Sequence, residues 1–311
     1  MDQIKTAILK TLAYADVFDF PLKEDEIGKY LIISAKGKRQ KAKLQIKIQK
    51  LIREGKIEEK EGFYFLRGRE KIVKIRKERE RESRKKLQIA RGIGEILKFI
   101  PTIKMVAVTG ALAISNSKAG DDIDLLIVNQ KGRIWTTRFL ATIFVEMFAK
   151  RRRPGDKDIA NKICLNMFLD EGYLEIPEKE QDLFSGHEVV QLKPLWDRNN
   201  TYQKFLATNQ WVEKYLPNAI RKLKAQKLKR KTTAKNSKPE EKKLLALSCR
   251  FALCALRFAL VENALKRFQL WYMRKRRTTE VISNGLIRFH PKDARVWVLK
   301  EYYKRLNSLK K

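Results

Sequence analysis

The sequence predicts an α+β chain in three parts, on three observations. Apolar residues recur at helical spacing through most of residues 1–68 and alternate at the end of that segment. Short apolar strand-like runs near 102–108, 123–128 and 162–176 alternate with helix-length segments in the middle. From about residue 190 helical spacing predominates again. At 311 residues the chain is long enough for two or three domains and at least one sizeable core.

The N-terminal segment is expected to be a unit over 1–68. DQIKTAILKTLAYADV gives a first helix, and FDFPLKEDEIGKYLI opens a second after Pro21. A break at Ser34–Gly37 precedes a third, KRQKAKLQIKIQKLIREGK (38–56), and KIEEKEGFYFLRG then alternates as a hairpin with Gly62 at its turn. Three helices followed by a β-wing form the winged helix-turn-helix pattern. Lys38, Arg39, Lys41 and Lys43 lie near the start of its third helix, where a recognition helix meets a groove. The same layout also serves protein contacts, and both uses stay open.

REKIVKIRKERERESRKKLQIARGIGEILKFIP (69–101) reads as one long helix, a solvated connector in its first half and amphipathic in its second. A central α/β domain over 69–190 follows. It contains a strand at 102–108, a helix IWTTRFLATIFVEMFAK (134–150), a basic loop RRRPGDKDIANK and a further strand in KICLNMFLDEGYLEI (162–176). Residues 191–311 are expected to be all-α, with a basic segment of low apolar content at 221–243 and a turn at Asn284–Gly285. Trp211, Tyr215, Trp271 and Tyr272 fall at helical spacing in apolar surroundings and read as core. Arg138 reads as solvent-facing, and the isolated His187 and His290 as structural.

The charge balance narrows the partners. Lys+Arg number 70 against 36 Asp+Glu, a formal net charge of +34. Such self-repulsion favours a polyanionic partner, nucleic acid or nucleotide first. The three cysteines lack CxxC spacing and there are two histidines, which argues against a disulfide framework or a zinc site. No run of about 18 uncharged apolar residues is present, since Arg250 and Arg257 interrupt 244–260. With no signal layout at the N-terminus, a cytoplasmic protein with no membrane role is expected; the sequence is silent on oligomeric state.

Against this excess of cations, Asp122 and Asp124 begin an apolar strand. On a strand they share one face about 7 Å apart. Two carboxylates so close repel unless a cation lies between them, and a hard divalent ion such as Mg²⁺ suits carboxylates plus phosphate oxygens. Turn composition at Ala119-Gly120-Asp121-Asp122 accounts for Asp121 but not for Asp124. Upstream, Thr109-Gly110-Ala111 ends one strand and starts a helix, where a glycine admits a phosphate and backbone N–H groups are free to bind it. Ser117 and Lys118 supply further donors on the loop between.

Val108-Thr109-Gly110-Ala111, ten residues, then Asp122-Ile123-Asp124 resembles the signature of the nucleotidyltransferase fold of the DNA polymerase beta superfamily. The resemblance covers roughly 90–175. It implies a mixed sheet flanked by helices, Mg²⁺ held by Asp122 and Asp124, and a nucleoside triphosphate (NTP) above Gly110. It further implies transfer of a nucleoside monophosphate to a hydroxyl, on nucleic acid or protein, with release of pyrophosphate. Two positions depart from the pattern. Ala111 replaces the serine that follows the glycine, with Thr109 or Ser117 as substitutes. The third carboxylate is expected on the strand 163–169, where alternation puts Cys164, Asn166, Phe168 and Asp170 on one face. That leaves Asp170 as the candidate acid and Asn166 at mid-strand, an amide that cannot act as a base. The departures keep a second reading open: a nucleic-acid-binding regulator whose degenerate transferase domain senses a nucleotide.

Overall fold

A computed structural model describes residues 2–32, 40–223, 248–274, 281–283, 285–289 and 294–309. Lys38, Arg39, most of the basic segment 221–243, Asn284 and His290 lie outside these residues, as does the side chain of Lys41.

The chain opens with three helices, α1 (Gln3–Asp16), α2 (Glu24–Tyr30) and α3 (Gln40–Arg53). Asp2 caps α1, its carboxylate accepting from the Ile4 N–H at 2.9 Å. The strands β1 (Ile57–Lys60) and β2 (Phe63–Leu66) pair antiparallel. Glu61 and Gly62 between them both take positive φ, the conformation of a two-residue hairpin turn. A bridge from Leu22 to Tyr64 ties the hairpin back to the start of α2.

The helix α4 (Ile72–Leu97) follows, and its first half is not the solvated connector that its charges imply. Ile72, Val73 and Arg76 are buried against the N-terminal unit. Arg76 grips Glu26 with two hydrogen bonds of 2.7 and 2.8 Å, and reaches Glu80 at 3.0 Å. Its guanidinium also lies 4.0 Å from the centre of the Phe20 ring. A run of charged residues at helical spacing hides this, because a buried arginine and a solvated one look alike in sequence.

The main sheet holds β3 (Ile103–Val108), β4 (Ile123–Asn129), β5 (Ile163–Asp170), β6 (Lys193–Asp197), β7 (Val281–Ile282) and β8 (Leu286–Arg288). Their order is β6-β3-β4-β5-β8-β7. Only β4 and β5 among these pairs run parallel, so the sheet is mixed as expected. The other helices are α5 (Gly110–Ala113), α6 (Ile134–Phe148), α7 (Leu183–Gln191), α8 (Thr201–Thr208), α9 (described over 217–223), α10 (Ser248–Met273) and α11 (Ala294–Ser308). Alternation along β4 divides the core. Ile123, Leu125 and Ile127 join α4 and α6 on one side. Leu126 and Val128 join the N-terminal helices, α7 and α11 on the other.

The expectation of a separate all-α C-terminal third is overturned by the sheet. Strands β6, β7 and β8 all come from beyond residue 190, and β8 completes the edge of β5. Each is five residues or fewer, too short to show a period against long helices. α11 returns to α1, where Arg305 pairs with Asp16 at 2.7 Å and Tyr302 meets Tyr14 edge-on at 5.8 Å between ring centres.

Arg76→Ala removes the partner that holds Glu26 and Glu80 against the first half of α4. We expect a loss of about 3 kcal/mol, measured as a lower urea midpoint with an unchanged slope. A variant as stable as the parent would return α4 to a connector.

Candidate metal centre and adjoining cavity

Asp124 stands on β4 on the face of Leu126 and Val128, and the parallel register sets it beside Cys164 of β5. Asp122 lies two residues earlier, just before the strand. One carboxylate oxygen from each aspartate and the Cys164 sulfur lie within 4.8 Å of one another. The pair expected from sequence is thus assembled, and Cys164 is an addition that no spacing rule flagged.

The electrostatics are those of a crowded anionic site. Burial first, then the neighbouring Asp124, raise the Asp122 carboxyl above its ordinary range, against the pull of Arg152. Burial and the same two carboxylates push the Cys164 thiol far up, and the thiol is hydrogen-bonded to Asp124. A cation would relieve each of these strains at once, and two carboxylates within reach of one point are a fitting donor set for a divalent ion.

Two basic residues hold the aspartates in place, and neither was legible as part of a site. Arg152 comes from the basic loop before β5. Its backbone N–H donates to the Ile163 carbonyl at 2.9 Å, and its guanidinium reaches Asp122 Oδ2 at 2.6 Å. Lys86 lies on α4 with its side chain fully buried. Its ammonium donates to the carbonyls of Ala119, at 3.0 Å, and Asp121. Lys86 thereby pins the loop that delivers Asp122.

The remaining residues divide. Gly110 takes φ +60°, and a Cβ built there would lie 4.0 Å from Asp124 Oδ2. Thr109 donates its N–H to the Asp124 carbonyl at 3.2 Å. Thr109, Gly110, Ala111 and Asp124 all line one cavity of about 250 Å³. Ser117 and Lys118 do not line it. The Lys118 N–H donates to Asp121 at 2.8 Å within the loop's own turn, and the Ser117 N–H donates to the Ser83 hydroxyl at 3.0 Å, tying the loop to α4. Lys43 is exposed on α3.

Asp170 is not brought to the pair, which corrects its candidacy as the third acid. It is the register partner of Asn129, five rungs from Asp124, or about 17 Å along the strand. Its carboxylate is already occupied, accepting from the N–H groups of Gly132 at 2.6 Å and Gly172 at 2.8 Å. The expected alternation fails because β5 carries an irregularity: Asp124 pairs with Cys164 but Leu126 with Met167. One extra residue, next to Asn166, reverses the faces beyond it. Cys164 and Asn166 stay near Asp124, whereas Phe168 points to the opposite core.

The cavity's other wall comes from the N-terminal helices and α7. His187 is fully buried and stacks on Tyr14, with ring centres 4.0 Å apart and planes 9° from parallel. Burial holds its imidazole at a pKa of about 3, so it is neutral at pH 7. Arg138, expected in solvent, lies within the contact of α6 with α10, its guanidinium 4.9 Å from the Phe289 ring; burial lowers it to about 10. Trp211 and Tyr215 pack edge to face at 6.2 Å as expected of core. Trp271 and Tyr272, also read as core, are 70% and 56% exposed.

No protein-family model matches the chain, and no curated protein matches it. No helix among the described residues is long and apolar enough to cross a membrane.

His187 gives stability a pH dependence with a definite sign. Its native pKa of about 3 lies below the ordinary 6.5, so below 6.5 the unfolded chain binds a proton that the native state refuses. Its contribution is whole above 6.5 and is lost as pH falls toward 3. Urea titrations across that interval should show a steeper loss of stability for the parent than for His187→Phe. Parallel profiles would place the imidazole in contact with water.

Proposed function

We propose that the chain is a divalent-metal-dependent nucleotidyltransferase of the nucleotidyltransferase fold, with Mg²⁺ as its ion. It moves a nucleoside monophosphate from an NTP to a hydroxyl and releases pyrophosphate. One observation carries this reading: oxygens of Asp122 and Asp124 converge within 4.8 Å on a sheet face whose neighbouring strand β3 is followed by the left-handed Gly110 at the start of α5. A turn aspartate explains neither the second carboxylate nor its half-buried place in an apolar strand.

Asp122 and Asp124, with Cys164 beside them, are the residues that would hold the ion. When bound, it supplies neutralisation of charge on the phosphate oxygens. Gly110 leaves the backbone uncovered where the phosphates approach, and the Thr109 hydroxyl replaces the one missing at Ala111. Arg152, with its side chain about a third exposed, is placed to exchange Asp122 for a phosphate oxygen once a cation occupies the carboxylates. Residues 1–68 are read as a winged helix-turn-helix. Together with the net charge of +34 they favour nucleic acid, or a protein bound to it, as the acceptor, ahead of a cationic small molecule.

A second reading has a specific observation behind it. Asn166, not an acid, lies beside Asp124 in the cavity wall, and Asp170 is occupied elsewhere. Without a third carboxylate the site suits nucleotide binding better than turnover. In that case the chain is a nucleic-acid-binding regulator, and the N-terminal helices that wall the cavity would carry the signal.

Incubation with Mg²⁺ and each α-labelled NTP, in the presence of RNA, a protein extract or no acceptor, distinguishes them. Transfer of label should fall roughly a hundredfold or more in Asp124→Asn, and vanish with excess chelator. Nucleotide binding that depends on Mg²⁺ and on Asp124, without transfer to any acceptor, supports the regulator instead. Neither binding nor transfer rejects both.

A further inference from the structure

We infer that the aromatic wall of the cavity is a nucleobase site, so that the N-terminal helices and α7 select the ring of the nucleotide whose phosphates lie at Gly110 and Asp124. This rests on the reading of the aspartate site just given and extends it to a part of the chain that the resemblance does not cover.

The cavity of about 250 Å³ runs from Asp124, Thr109 and Gly110 to Tyr14, Tyr30 and His187. An apolar cavity of about 150 Å³ holds benzene, so this volume admits a larger ring. Its aromatic walls suit a flat ring, because every base presents a π-face. Two orphaned polar atoms add direction. The Gln191 amide Nε2, which can only donate, lies 3.0 Å from His187 Nδ1. The imidazole therefore accepts at Nδ1 and carries its proton on Nε2. That N–H is buried without a hydrogen-bond partner among the described residues, as is Asn166 Oδ1. A buried unmet donor or acceptor costs about 1–3 kcal/mol, and both residues line the same cavity. A donor and an acceptor on two residues that line one cavity match a ring edge that offers an acceptor nitrogen beside an exocyclic amino group, as adenine does. An aliphatic ligand would satisfy neither atom.

Titration calorimetry with Mg²⁺ present, comparing ATP, adenosine and inorganic tripolyphosphate, tests the site on the unmodified protein. ATP should bind roughly tenfold or more tightly than tripolyphosphate. The His187→Phe variant, with its fold checked by circular dichroism and melting, should lose most of that advantage while tripolyphosphate affinity stays unchanged. Asp124→Asn should do the reverse, weakening tripolyphosphate and sparing adenosine. Equal affinity of ATP and tripolyphosphate for the parent overturns the base site and leaves the phosphate and metal reading intact, whether or not the variant folds. Binding of adenosine that depends on His187, with no Mg²⁺-dependent binding of tripolyphosphate, keeps the base site and rejects the transferase. Loss of tripolyphosphate affinity in His187→Phe makes the histidine a general structural prop and also overturns the proposal.

Discussion

Asp122 and Asp124 repel one another across a gap that the sheet does not let them widen. Asp124 is fixed by β4, hydrogen-bonded on both sides, and Asp122 enters that strand through a loop anchored from behind by the buried Lys86. Much of the surrounding structure answers this constraint. Arg152 is drawn to Asp122 from a loop that docks on the start of β5. The Cys164 thiol keeps its proton and gives it to Asp124 as a hydrogen bond. Like charges packed together are unfavourable by themselves, and under the function proposed above a bound cation offsets them.

The same face of the sheet explains the attachment of the N-terminal unit. A face carrying Leu126 and Val128 beside two carboxylates needs an apolar cover that stops short of the carboxylates. α1, α7 and α11 supply it, joined through Tyr14, His187 and Tyr302. Arg69 and Arg305 both pair with the buried Asp16 at 2.7 Å, clamping α1 from two directions. Arg79 of α4 adds a hydrogen bond to the Phe18 carbonyl at 2.8 Å. The unit is therefore a wall of the cavity as well as a candidate nucleic-acid reader, and occupancy of the cavity has a direct mechanical route to it.

The sequence was legible where local chemistry leaves a local mark. Helical spacing placed α1, α2 and α6, alternation placed the β1–β2 hairpin, and two acids in an apolar strand marked the candidate site. The illegible parts depend on distant partners. Arg76 fell in a stretch read as a solvated connector, and nothing local marked Lys86 or Arg152, because the partners of all three lie elsewhere in the chain. Asp170 kept its candidacy because one extra residue in β5, without a glycine or proline to announce it, reverses the alternation. The short β6, β7 and β8 carry too few residues to establish a period, and only the waiting edges of β3 and β5 make them strands.

Under the function proposed above, whether the site transfers a nucleotide or only holds one turns on a single proton. A hydroxyl that attacks a phosphate must release its proton to some acceptor. Asn166 cannot take it, Asp170 is out of reach, and the Cys164 thiol already keeps its own. The two aspartates remain, and burial and Asp124 raise the Asp122 carboxyl above its ordinary range, so that it holds a proton more readily. A carboxylate that holds a metal is a poor base, because the cation lowers its affinity for a proton. Asp122 can therefore serve the proton or the ion but not both fully, and Arg152, its partner at 2.6 Å, is the group whose position sets that balance. Arg152 turned toward a bound phosphate leaves Asp122 more basic and the site nearer to turnover. Arg152 held on Asp122 leaves an arrangement that binds a nucleotide without consuming it.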